Sequence, residues 1–397
     1  MSSLPRSALV LAVLASACSG LQLGSRDRWE QGVPASAVHA NVARPQWRQH
    51  LAVLTDLDAR SRDRSVPAVD PVGGTLIVGG LDAAVHALRL DDGGEVWRFQ
   101  ALGAVEGAAV LDGRTVYVGS NDGGLYALDA DTGRMRWRFG SNAEIVHAPV
   151  VTAETVYVVN ADDTVFALDR ATGTARWRYH REPPGGITAS GHAGVLVARG
   201  CVYSAFADGR VVCIDPAEGT ARWERDTSVD DEQVEGANES HRTIDVDTTP
   251  VLLDDTLYVA SHTAGLYALD PEGGGVRWRV EALRAIHGLS TDGRDLFAVS
   301  ATRGLLRVDP ADGTVMWSRA LGSSALGRPT AVRGMLLVPS ADHSLWVLRA
   351  TDGEVLQGLG PDGVNAEPLV WGHWLFFKTT RGTVNAWRFV EAEPQAS

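Results

Sequence analysis

Nine acidic residues stand between Glu224 and Asp247 (Glu224, Asp226, Asp230, Asp231, Glu232, Glu235, Glu239, Asp245 and Asp247), against only Arg225 and Arg242. Carboxylates at this density either stay solvated or accept hydrogen bonds from basic and amide groups of a partner. The first half of the stretch reads as a solvated surface loop. The second half, "IDVDTTP", runs straight into an apolar β-type segment, which would hold Asp245 and Asp247 rigidly at its rim. The other groups capable of chemistry are dispersed. Eleven histidines are scattered with no zinc-motif spacing, and His147, His192 and His287 fall just ahead of apolar β-type runs, where a hydrogen-bonded loop role is the economical reading. Aspartate-rich turns such as "DADTG" and "DPADG" recur along the chain, so they read as turns rather than metal ligands; no twelve-residue calcium loop with a closing glutamate is written. The common hydrolase, P-loop and dinucleotide signatures are missing as well. The expectation is a protein without catalytic residues, metal or cofactor.

What positions the acidic stretch is a repeat. "ALDADTGRMRWRF" (Ala127 to Phe139) returns as "ALDRATGTARWRY", "CIDPAEGTARWER", "ALDPEGGGVRWRV" and "RVDPADGTVMWSR". Trp97, Trp137 and Trp177 are 40 residues apart; Trp223, Trp278 and Trp317 follow at 46, 55 and 39, and a further 40 falls on Gln357, where the tryptophan is lost. A period near forty indicates a propeller or an array. Within each unit hydrophobicity alternates with period two, broken by turn signals, and gives four antiparallel strands. A blade of this kind has two faces that only its neighbours can cover, so an indole on the outer strand can bury itself against the adjacent blade. Trp47, Trp97, Trp137, Trp177, Trp223, Trp278 and Trp317 are therefore blade-docking residues.

The ends set the number of units. The last unit, "EPLVWGHWLFFKTTRGTVNAWRF", supplies three strands, and "ARPQWRQHL" around Trp47 supplies an isolated fourth. Mixing the two termini in one blade closes the ring and removes its free edge. The expected fold is an all-β, eight-bladed propeller of four-stranded antiparallel blades over residues 42–390, closed by the N-terminal strand and followed by a disordered tail, 391–397.

The chain has 397 residues and a formal charge of −13, which argues against non-specific nucleic-acid binding. Residues 1–17 read as a signal peptide: Arg6, the apolar run Ala8 to Ala17, then Cys18. "LASAC" resembles the bacterial lipoprotein box, with Ala15 where leucine is usual, which makes Cys18 the acylated residue and 18–41 a tether. Ser19, rather than an aspartate, implies the outer membrane, periplasmic side, and removal of 1–17 leaves 35 basic residues against 49 acidic. Cys201 and Cys213 flank an "ADG" hairpin turn. In an oxidising compartment they are placed to form a disulfide; the alternative is two small core residues.

The motif A-x-D-x-x-T-G-x-x-x-W is the signature of pyrroloquinoline-quinone-like propeller repeats. Within that group the chain resembles the outer-membrane protein assembly factor BamB family, most sharply at "DVDTTPVLLDDTLYVASHTAGLYALD" (Asp245 to Asp270). The resemblance implies a non-enzymatic lipoprotein scaffold of the β-barrel assembly machinery, contacting a periplasmic domain of the barrel-assembly protein BamA and working on unfolded outer-membrane proteins. It carries the contact onto Asp245 and Asp247, with Arg242 beside them, and onto a Leu-x-Leu-Arg segment in the preceding insertion. That segment here reads Ile187, Thr188, Ala189, Ser190, without the arginine and with alanine for the second leucine. Both segments lengthen outer-to-inner connections of neighbouring blades, so both emerge on one face of the ring, the expected binding face. Two alternatives stand: a pyrroloquinoline-quinone-dependent periplasmic oxidoreductase, whose relatives share the propeller but carry an adjacent-cysteine disulfide that this chain lacks, and a generic periplasmic interaction propeller.

Overall fold

In the computed structural model, residues 41–51, 64–182, 193–227, 246, 248–322, 326–341, 345–360 and 362–390 are described. They form eight four-stranded antiparallel sheets and no helix. Seven sheets follow chain order and make blades one to seven: residues 68–100, 110–140, 150–180, 196–226, 251–280, 286–319 and 330–359. The eighth mixes the termini. Ala43–His50 pairs with Thr383–Phe389, from Ala43 opposite Phe389 to His50 opposite Thr383, outside Trp374–Lys378 and Leu369–Trp371. The eight-bladed ring closed by an N-terminal strand is the one the repeat spacing implies.

Hydrophobic burial lies between blades rather than within them. The second strand of a blade is buried on both faces, as in Thr75–Gly79 and Thr155–Val159. Ile77 and Val85 of blade one pack with Val116 and Val118 of blade two. Around the ring, Leu76 and Val78 meet Phe376 and Val384 of blade eight. Each blade thus depends on its neighbours, as stacked repeats do.

The tryptophans interlock the ring. Trp97 Nε1 donates to Ala130 O at 2.9 Å, in the aspartate-glycine turn of the next blade. Trp47, Trp137, Trp177, Trp223, Trp278 and Trp317 donate in the same way to Leu90, Arg170, Pro216, Pro271, Pro310 and Ala350. The indole lies on the turn glycine: a Cβ on Gly133 would stand 2.5 Å from Trp97 Cε3, and Gly133 has φ +67°. That glycine therefore meets two demands, a left-handed turn and room for the neighbour's ring.

Gln357 stands where blade seven should have its tryptophan, and the ring's closure explains why. Blade eight takes its outer strand from the N-terminus, so it has no third-to-fourth-strand turn to receive an indole. Gln357 instead grips the incoming chain. Its Oε1 accepts from the Val42 and Ala43 amides at 2.8 and 3.0 Å, and its Nε2 donates to Ala43 O at 3.0 Å. In blade four, Cys201 and Cys213 form a disulfide with Cα atoms 5.4 Å apart. The register sets Cys213 opposite Tyr203, so the bridge is diagonal across the hairpin rather than between facing residues.

Candidate functional site

In an antiparallel blade the second-to-third-strand hairpins and the connections to the next blade open on one face of the ring. Both long insertions leave from that face, on either side of blade four. Ile187, Thr188, Ala189, Ser190, His192, Arg242, Asp245 and Asp247 lie outside the described residues, as does Cys18. The roots of both insertions are described, and they are bonded to one another.

The first insertion leaves the outer strand Ala175–His180 through Arg181, which reaches across to blade four. Its Nε donates to Asp208 Oδ2 at 2.6 Å and its Nη1 to Glu224 Oε2 at 3.1 Å. The Tyr179 hydroxyl donates to the other Glu224 oxygen at 2.8 Å. Glu224 and Asp226 belong to Ala221–Asp226, the strand from which the second insertion leaves, and Arg210 pairs with Asp226 at 2.9 Å. Burial disfavours charge on Arg181, but its hydrogen bonds to Tyr179 and Asp208 more than offset this and hold the guanidinium firmly protonated. Burial, then Glu224, pushes the Tyr179 phenol up. The far ends are joined as well. Gly194 N donates to Thr249 Oγ1 at 2.8 Å, and Thr248 Oγ1 exchanges hydrogen bonds with Ala260 of the adjacent strand. Val246, between the two aspartates, is buried with Ala193, Tyr203 and Cys213.

The rim of blades three to five is thus tied together by hydrogen bonds where the two insertions leave and return. The sequence carried a signal for this link that the acid count obscured. Blades two, three and five read Arg-Trp-Arg, whereas blade four reads Arg-Trp-Glu, and that glutamate is the acceptor for Arg181. His147 is half-buried on the same face, and His287 is exposed with Nε2 2.7 Å from Leu326 O; the structure does not bring them together. Among the described residues no group of three or more His, Cys, Asp or Glu is arranged to hold a metal ion.

Comparison with known proteins agrees with this architecture. A family model described as outer membrane protein assembly factor BamB matches residues 81–269 and 263–396. The BamB of Yersinia pestis is 27% identical over 157 residues, a stretch covering 39% of this chain and only 40% of that relative. The crystal structure of BamB from Moraxella catarrhalis superposes with a TM-score of 0.72 at 23% identity, over 88% of this chain and 100% of that one. The quinohemoprotein alcohol dehydrogenase of Comamonas testosteroni gives 0.65 at 16% identity, over 90% and 78%, a likeness of fold alone. The family match runs through most of the propeller, and the chain belongs to the outer membrane protein assembly factor BamB family.

Proposed function

We propose that the protein is a non-enzymatic scaffold of the outer-membrane β-barrel assembly machinery, anchored in the outer membrane by lipid on Cys18 and facing the periplasm. It docks the periplasmic domain of the barrel-assembly protein BamA on the rim of blades three to five. The observation that carries this reading is the joined root of the two insertions, Arg181 to Glu224 at one end and Gly194 to Thr249 at the other. A partner seated across both insertions then meets roots that are already joined, so less ordering cost falls on binding. Asp245 and Asp247, flanking buried Val246, are the proposed acceptors, with Arg242 and Ile187 to Ser190 completing the contact.

The quinone-dependent oxidoreductase reading rests on the shared propeller at 16% identity, which argues only for a common scaffold. Affinity purification of the tagged protein from detergent-solubilised envelopes, with identification of what it retains, tests the proposal. Recovery of the barrel-assembly protein supports it; a stable complex lacking that protein, or pyrroloquinoline quinone retained on the purified chain, overturns it.

A further inference from the structure

Blades one and two carry a three-residue relay at positions 40 apart, and at the matching positions of blade three it is broken. In blade two, Tyr126 OH and Arg138 Nη2 both donate to Asp122 Oδ2, at 2.7 and 2.9 Å. In blade one, His86 Nε2 lies 3.2 Å from Asp82 Oδ1 and Arg98 Nη2 donates to Asp82 Oδ2 at 2.7 Å. The matching residues of blade three are Asp162, Phe166 and Arg178, with Phe166 opposite Arg178 in register as Tyr126 is opposite Arg138. Phe166 has no polar atom with which to hold the aspartate. Asp162 turns away and accepts from Asn142 Nδ2 at 2.8 Å instead. Arg178 is left exposed and, among the described residues, without a carboxylate partner.

The released guanidinium lines a groove of about 670 Å³ between blades two and three. Blades diverge towards the circumference, so their outer strands cannot cover each other fully, and here the uncovered wedge has an aromatic floor. Phe139 and Phe166 pack with ring centroids 5.0 Å apart. The other polar groups are committed: Arg176 to Asp169 at 2.8 Å, and His180 Nδ1 to Thr164 Oγ1 at 2.9 Å. The wall is the outer strand Ala175–His180, one edge of which has no partner strand among the described residues. Arg48 holds the same place after Trp47 in blade eight but faces Asn385 in register rather than an aromatic residue.

From this combination we infer that the groove between blades two and three binds an extended peptide segment carrying a carboxylate and an aromatic side chain two residues apart, on one face of the strand. The free strand edge supplies backbone hydrogen bonds, Arg178 a charge-assisted bond to the carboxylate, and the Phe139–Phe166 floor a seat for the ring. The occupant differs from the partner proposed for the insertion rim, and the inference does not depend on that proposal.

The probe is an acetylated, amidated hexapeptide of threonine and valine with a central glutamate and a phenylalanine two residues after it, titrated by calorimetry into the full processed chain. A second peptide has glutamine for the glutamate. Arg178→Gln is expected to weaken binding of the first peptide by about tenfold, and the glutamine peptide to bind wild type and variant alike, the signature of a direct pair. Phe166→Tyr, which rebuilds the blade-two relay and recaptures Asp162 and Arg178, is expected to weaken binding similarly while melting at or above wild type. The inference is overturned if the wild type does not bind, if the two peptides bind it equally, or if either variant binds the glutamate peptide as the wild type does. Attachment to anionic vesicles in place of the peptide overturns it as well.

Discussion

Gln357 holds Ala43 by both of its backbone polar groups, accepting from the amide and donating to the carbonyl at 3.0 Å each. This contact replaces a tryptophan dock at the junction where the chain's two ends meet. Restoring the repeat's tryptophan should therefore harm the protein. Gln357→Trp and Gln357→Ala are each expected to cost about 1–3 kcal/mol, because the Val42 and Ala43 amides lose their acceptor. Hydrogen exchange should show Ala43–His50 exchanging faster in the variants, and a Gln357→Trp protein melting above wild type would contradict the reading.

The interlock between blades can be tested by residue size. Trp137 is 9% exposed and fills the space over Gly173, so Trp137→Ala is expected to cost about 3–5 kcal/mol in thermal or denaturant unfolding. Gly173→Ala should be destabilising for a separate reason, a positive φ combined with a Cβ 2.5 Å from Trp137. In the double variant the clash is gone, so the combined loss is expected to fall short of the sum.

The turn aspartates give the protein an acid limit. Hydrogen bonds from Arg136, then Thr132, hold Asp129 at about 2, below the ordinary 3.8. Arg176 and Thr172 hold Asp169 at about 2 as well. Each group binds a proton more weakly folded than unfolded, so its contribution is complete above about pH 4 and is lost as pH falls towards 2. The melting temperature of Asp129→Asn should lie below wild type at neutral pH and converge with it at about pH 2. Parallel curves throughout that window would contradict the assignment.

The bridge between Cys201 and Cys213 closes a loop with a sequence separation of 12. Replacing both by serine should lower stability by about 3 kcal/mol on the chain-entropy account. Because the two residues are 4% and 0% exposed, alkylation is expected only after denaturation together with reduction. Labelling of Cys201 and Cys213 in the denatured but unreduced protein would show the bridge to be open.

Much of the fold was legible because one spacing recurs. Trp97, Trp137 and Trp177 at intervals of 40 announce the blade, and the orphan strand around Trp47 announces how the ring closes. The meaning of Gln357 was not legible, since a lost repeat residue looks like decay until the chain ends are seen to meet there. The insertions were visible as lengthened spacings. Their joined roots were not, because Arg181, Asp208 and Glu224 come from two blades and only the folded ring brings them within 3.1 Å. The break at Phe166 is a single ring where blade two has a phenol, and its consequence for Arg178 needs the register.

The most direct test of the account is co-purification of the barrel-assembly protein with Asp245→Arg/Asp247→Arg. Reversing both charges at a hydrogen-bonded interface removes the acceptors and adds repulsion, a loss of several kcal/mol. The double variant is expected to melt like wild type and no longer to retain the barrel-assembly protein. A variant that melts like wild type and still retains it would contradict docking on the rim of blades three to five.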